Sequence, residues 1–180
     1  MNTVSAESNS ESQPVEHPVF GPVPFTPIGV IHSGHRLVDR TPVQPVYAHD
    51  CPGHVALLPQ YLEGLRGLDG FSHIFLLYHL HLAGPPQMIV QPFVGDRPCG
   101  VFATRHPQRP NPIGMSLVRL VKIEGGILHL LDVDILDGTP LLDIKPFVPR
   151  FDIAAAARGG WTETVDEDTA RRRGQRGFKP

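Results

Sequence analysis

Residues 100–116, GVFATRHPQRPNPIGMS, constrain this chain more than any other stretch. They open as a short apolar run and become a loop stiffened by Pro107, Pro110 and Pro112. The chain re-enters an apolar run at Met115. Proline fixes φ and pushes the preceding residue towards extended geometry. Asn111 sits between two prolines, so its backbone is held from both sides. Gly114 is expected to take a positive φ and turn the chain back. Such a loop holds Arg105, Arg109, Asn111 and Ser116 in a nearly fixed arrangement, as a preorganised site requires. A rigid structural crossover has the same pattern.

The flanks read as short strands. Residues 26–31, 53–58, 71–82, 117–123, 127–136 and 141–144 are apolar or β-branched runs bounded by Gly, Pro and Asp. Gly125-Gly126 predicts a tight hairpin turn, and Asp137-Gly138-Thr139-Pro140 a second turn. Tyr61, Leu62, Leu65 and Leu68 have helical spacing, with Gly67 and Gly70 as stops, so one short helix is expected there. Residues 71–82 are almost continuously apolar, which predicts that both faces are covered. No internal repeat occurs. These elements indicate an all-β barrel or sandwich with long loops.

The chain has 180 residues, 41% of them apolar, enough for one domain with a core. Residues 1–24 are rich in Ser, Glu, Pro and Asn and read as a disordered arm. They contain no apolar secretory segment, and residues 74–82 are too short to span a bilayer. Cys51 and Cys99 form no spaced motif and read as reduced thiols of a cytoplasmic protein. The net charge is −2, whereas nucleic-acid binders are more often basic. Arg171, Arg172, Arg173, Arg176 and Lys179 crowd the last ten positions. Residues 154–180 therefore read as a polar, basic tail, either solvated and disordered or following a phosphate backbone.

No P-loop, GxGxxG, GxSxG, HExxH or CxxC is present, which excludes the common nucleotide-hydrolase, Rossmann, serine-hydrolase and zinc signatures. On a period of two, His73, His79 and His81 share a strand face. A metal would need all three to converge, and polar groups lining a barrel or pocket are the expected reading, with no metal. Asp137 is either an Asx turn capping its own backbone or a carboxylate at a pocket mouth. Asp143 and Lys145 pair on one face as architecture.

Four pieces of the chain, in order, resemble the TrmO family of tRNA methyltransferases, the YaeB-like or VirR-like proteins. They are IGVIHS from Ile28, LRGLDGFSHIFLLYHLH from Leu65, the central stretch from Gly100, and LDGTPLLDIKPFVP from Leu136. The resemblance spans about residues 26–152 and places the domain at residues 25–153. It implies a small closed β-barrel, antiparallel or mixed, that binds S-adenosyl-L-methionine as a homodimer with donor sites near the subunit interface. The implied reaction methylates N6 of N6-threonylcarbamoyladenosine, just 3′ of the anticodon of threonine tRNAs.

By resemblance, donor contacts fall on Pro45, Val46 and Tyr47, on His81 and Leu82, on Arg105 and Met115, and on Asp137, Gly138, Thr139 and Pro140. Arg105 suits the donor carboxylate, and the Tyr47 ring suits a sulfonium cation. The acceptor nitrogen needs a general base, for which Asp137 is the first candidate and His81 the second. Arg109, Asn111 and Ser116 would shape the acceptor side or lock the loop. The chain departs from the family pattern at residues 42–46, at Leu82 and at residues 90–94, where arginine, glycine or glutamine is common. Two other readings use the same residues: the same donor site with another RNA or small-molecule acceptor, or a non-catalytic module that binds donor or RNA.

Overall fold

The computed structural model of the chain describes residues 21–177. Most of the expected disordered arm, residues 1–20, lies outside the described residues; residues 21–24 are exposed and irregular.

Alternation of core-facing and outward-facing residues builds six strands into a closed barrel. In chain order the strands are β1 (Gly29–Ser33), β2 (Gly53–Leu57), β3 (His73–His79), β4 (Ile89–Val90), β5 (Cys99–Gly100), β6 (Ile113–Glu124), β7 (Ile127–Leu131) and β8 (Thr139–Pro146). The barrel order is β1-β2-β7-β6-β3-β8, and β8 closes on β1. Every pairing is antiparallel, so the mixed alternative does not apply. β4 and β5 form a separate ribbon within the long loop. Closure leaves the six strands no free edge to pair with another chain.

The period of two is clearest in β3. Ile74, Leu76 and Tyr78 point into the core, while His73, Phe75 and Leu77 are only half-buried on the outside. Full cover on both faces, expected from the apolar run, is therefore not found. Phe147 shields part of that face, packing edge-on against His73 and Phe75. Ile31, Val55, Val118, Leu128 and Leu141 complete the core, all fully buried. Burying side chains of this size contributes roughly 1.5–3 kcal/mol each, the main favourable term in the fold.

Several local expectations shift. Gly125 and Gly126 both have positive φ and join β6 to β7 directly, as the Gly-Gly turn predicted. Gly114 does not turn the chain. It lies inside β6, which begins four residues before the predicted strand, and its φ is not positive. Its role is spatial, because a Cβ there would run into the Tyr78 ring. β7 ends at Leu131, five residues early, where Asp132 takes φ +65°. Arg119 pairs with Asp132 at 2.5 Å and also with Asp50, which fixes that corner. Asp143 and Lys145 do pair, at 2.7 Å.

The predicted short helix is instead two 3-10 pieces, Pro59–Leu65 and Leu68–Gly70, divided at Gly67 with φ +83°. The segment expected to be a solvated tail is ordered through Gly177. After the short α1 (Pro149–Asp152), a 3-10 turn at Gly160–Thr164 leads into α2 (Glu167–Gln175). The Asp166 side chain caps α2 by accepting from the Thr169 N–H at 2.9 Å. The segment folds back onto the barrel. Trp161 Nε1 donates to the Ala103 carbonyl at 2.8 Å, Arg173 pairs with Asp96 at 2.6 Å, and Gly174 lies against the Tyr47 ring.

Cys51 and Cys99 are both free thiols, and burial pushes Cys51 up to about 11. No helix among the described residues is long and apolar enough to cross a membrane.

Candidate functional site

A cavity of about 560 Å³ opens where the proline-braced stretch meets the β7–β8 connection. Thr104 to Arg109 line it from the central stretch, and Gly114 and Met115 from β6. Leu80, His81 and Leu82 reach it from the end of β3, and Asp134, Ile135, Leu136 and Thr139 from the β7–β8 connection. Val38 and residues 41–44 add the early loop; Tyr78, Ala83, Gly84, Phe93, Ile113 and Arg176 complete the lining.

The central stretch is pinned by its own hydrogen bonds. Arg109 donates to the carbonyls of Thr104 at 2.7 Å and Val101 at 3.1 Å, and it sits over the Phe102 ring. Arg109 thus locks the loop. Leu80 N–H donates to the Pro112 carbonyl at 2.8 Å, tying the loop to the end of β3. This leaves Arg105 exposed at the cavity with its guanidinium on Gln44 Oε1. His106 stacks on Phe93 with ring centroids 5.1 Å apart. Burial, then Arg109, holds its pKa below the ordinary imidazole value. Arg176 lies over the other aromatic partner, 4.9 Å from the Phe93 centroid.

One residue of this lining is a buried polar group. Asp134 is 7% exposed, between the fully buried Val133 and Ile135. Its Oδ1 has no hydrogen-bond partner among the described residues. Burial pushes its carboxyl up to about 7, against the pull of the Ser116 hydroxyl, its own backbone N–H and Arg105. The Tyr78 and Ser116 hydroxyls are 3.0 Å apart, both buried. Burial and the Asp134 charge drive the Tyr78 phenol far above its ordinary value.

His81, Leu82, Arg105, Arg109, Met115 and Thr139 therefore converge on one cavity. Other expected site residues lie outside its lining. Pro45, Val46 and Tyr47 form a 3-10 turn just past it, with Val46 74% exposed and Tyr47 against α2. Pro42 to Gln44 line the cavity in their place. Asn111 is exposed on the loop, and Ser116 is 1% exposed behind Tyr78. Pro140 is paired with Val30 in the sheet, and Gly138, at φ +79°, donates to the Ile31 carbonyl.

Asp137 is neither an Asx turn on its own backbone nor part of the lining. Its Oδ1 accepts from the Ser33 N–H at 3.1 Å and lies 3.3 Å from His32 Nδ1, and its Oδ2 pairs with Arg36. Despite partial burial, these partners hold its pKa below the usual carboxylate range. His73, His79 and His81 do not gather around a common point. Among the described residues only His49, Asp50 and Asp132 come close enough to one another to do so, and Arg119 already occupies both carboxylates.

Sequence reasoning missed Asp134, Tyr78, Phe93, His106, Gln44 and Arg176. The one available signal for Asp134 was its place between Val133 and the apolar pair Ile135-Leu136, in a segment that also holds Asp132 and Asp137.

Residues 30–153 match the family model described as the tRNA-methyltransferase O N-terminal domain. A probable S-adenosyl-L-methionine-binding protein of Pyrococcus abyssi is 51% identical over 139 residues, covering 77% of this chain and 76% of that one. The Escherichia coli tRNA (adenine(37)-N6)-methyltransferase is 40% identical over 135 residues, covering 69% of this chain and 57% of that protein. The crystal structure of TrmO from Pseudomonas aeruginosa superposes with a TM-score of 0.66 at 42% identity, over 78% of this chain and 62% of that one. The chain thus spans under two thirds of the length of the last two relatives.

Proposed function

This chain belongs to the tRNA-methyltransferase O N-terminal domain family, and from that premise we propose that it is an S-adenosylmethionine-dependent methyltransferase whose acceptor is N6 of N6-threonylcarbamoyladenosine beside the anticodon of threonine tRNAs. The observation that carries this reading is the convergence of His81 and Leu82, Arg105 and Met115, and Thr139 on one cavity. Those segments are distant in the chain, and the resemblance assigns donor contacts to all three.

The residues present suit the donor. Arg105 is the exposed cation available to a carboxylate, and a guanidinium binds a carboxylate in bidentate geometry. Leu80, Leu82, Met115 and Ile135 supply apolar walls for a flat purine. When bound, the donor supplies a methyl group on a sulfonium ready for in-line displacement, so the protein's task is chiefly positioning. The braced loop performs it by holding Arg105 through Gln44.

Arg176 at the cavity and the exposed Arg171 and Arg172 of α2 support a tRNA backbone near the mouth. Exposed Phe102, with Ile113 and Met115 at the cavity's edge, supports a homodimer that covers this face. Free Cys51 and Cys99 support a cytoplasmic setting.

Nucleoside mass spectrometry of tRNA from a strain lacking the gene tests the reading. The methylated form of N6-threonylcarbamoyladenosine should vanish, return with the wild-type chain, and fail to return with Arg105→Ala. An unchanged nucleoside profile, with donor binding still seen by calorimetry, would assign the site to another acceptor. Absent donor binding would leave only a non-catalytic module. Sedimentation velocity tests the dimer.

A further inference from the structure

The geometry points to Asp134, rather than Asp137 or His81, as the general base that takes the proton from the acceptor nitrogen, with Ser116 and Tyr78 as the buried hydroxyls that orient it. This rests on the methyltransferase reading above and deepens it.

A carboxylate oxygen without a partner inside a protein costs stability, and such groups persist where function uses them. Asp134 Oδ1 is that atom; it is covered in this structure, and Asp134 is one of the residues around the cavity to which the donor is assigned. Its neighbours Val133 and Ile135 are fully buried, and the cavity is the open space that Asp134 borders. The Ser116 hydroxyl favours its charged form, and the Tyr78 hydroxyl lies 3.0 Å behind Ser116. The opposite holds for Asp137. Ser33, His32 and Arg36 already occupy its oxygens, and it is absent from the lining. A carboxylate so satisfied is a weak proton acceptor.

The chemistry balances. The acceptor N6–H proton passes to Asp134 Oδ1 as the nitrogen electron pair forms the new N–C bond to the methyl group. The C–S bond breaks with its pair retained on sulfur, which discharges the sulfonium and leaves a neutral thioether. Asp134 ends protonated and returns its proton to water once the products leave. A base poised near neutral pH is the efficient choice for this step.

The groups facing Asp134 are Tyr78 on β3, Ser116 on β6, Cys51 before β2, and Arg105 on the central stretch. Tyr78 and Cys51 are both pushed upward and keep their protons from pH 5 to 9. His106, across the cavity, is displaced downward.

The test uses the full chain and tRNA carrying N6-threonylcarbamoyladenosine. Single-turnover methyl transfer is measured from pH 5 to 9 for wild type, Asp134→Asn, Ser116→Ala and His81→Asn. Donor affinity is measured by calorimetry, and the Asp134 carboxyl is titrated by carbon NMR in the protein alone. Wild type should show a rising limb centred near neutrality that matches the NMR midpoint. Asp134→Asn should lose the limb and about a hundredfold or more in rate, with donor affinity changed less than about threefold. Ser116→Ala removes a hydrogen bond that favours the charged form, so limb and NMR midpoint should both move to higher pH. A limb that survives in Asp134→Asn, or one that only His81→Asn removes, overturns the inference and leaves the methyltransferase reading standing. Wild-type protein that transfers no methyl to tRNA overturns both.

Discussion

Gly114 on β6 faces Tyr78 on β3 in the antiparallel register, and the Tyr78 ring fills the space a Cβ at position 114 would need. The ring is 7% exposed and anchored by its hydroxyl on Ser116. Gly114→Ala must therefore displace Tyr78 or open the β3–β6 pairing. Overpacking of this kind typically costs about 1–3 kcal/mol. We expect a lower urea midpoint with an unchanged m-value, and weaker donor binding by calorimetry because both residues line the cavity. Unchanged stability would mean that the ring has another place to go.

Asp137 joins the β7–β8 connection to β1. Arg36 is 70% exposed, so its ion pair contributes little. The Ser33 N–H to carboxylate bond is the larger part, because hydrogen bonds to charged groups are worth about 1.5–3 kcal/mol. Asp137→Ala should destabilise the barrel by about that amount at neutral pH. Its native pKa is lowered, so the stabilisation is present above the unfolded value near 3.9 and is lost as pH falls through the native value. Urea midpoints of variant and wild type should approach each other as pH falls from about 3.9 through that lower native value. The pH limb of methyl transfer should survive in this variant, and its loss would restore Asp137 as the base.

The docking of α2 depends on Gly174, whose missing side chain leaves room for the Tyr47 ring. The Gly174 carbonyl also accepts from the Val43 N–H at 2.9 Å, and Val43 lines the cavity. Burial, then the Glu167 charge, raises the Tyr47 phenol. Gly174→Ala should lift α2 away and let Tyr47 return towards its ordinary value of about 10, read as a downward shift in the phenolate absorbance titration. Protease should then cut before α2, and donor affinity should fall as Arg176 leaves the cavity. A Tyr47 titration identical to wild type would show that α2 stays docked.

The barrel was legible because its signals are local. Alternation in β3, the Gly-Gly turn after β6 and the Asp-Gly turn before β8 each depend on a few neighbouring residues. Gly114 was misread because a glycine's reason can be a neighbour 36 positions away rather than its own φ. The arginine run hid α2, although Asp166 and Thr169 carry a helix-start spacing that a charge count overlooks. Of the residues around the cavity, Arg105, His81, Leu82, Met115 and Thr139 carry expectations from motif resemblance. Asp134 carries none, because its importance lies in the burial of Val133 and Ile135 on either side, which only the closed barrel creates.

That burial gives Asp134 a stability signature separate from any activity. Its native carboxyl keeps a proton up to about pH 7, whereas the unfolded chain releases it near 3.9. Between those values the native state binds more protons, so this residue's contribution falls as pH rises. Asp134→Asn does not titrate. Its amide also needs partners in the same space, so the informative quantity is the pH slope rather than the offset at any one pH. The variant should gain on wild type by up to about 1.4 kcal/mol per pH unit across this window and by a constant amount above it. Urea titrations at pH 4.5, 6 and 8 measure the slope. A difference independent of pH would mean that the Asp134 carboxyl is solvated or paired in solution, and it would then have no claim to be the buried acceptor beside the cavity.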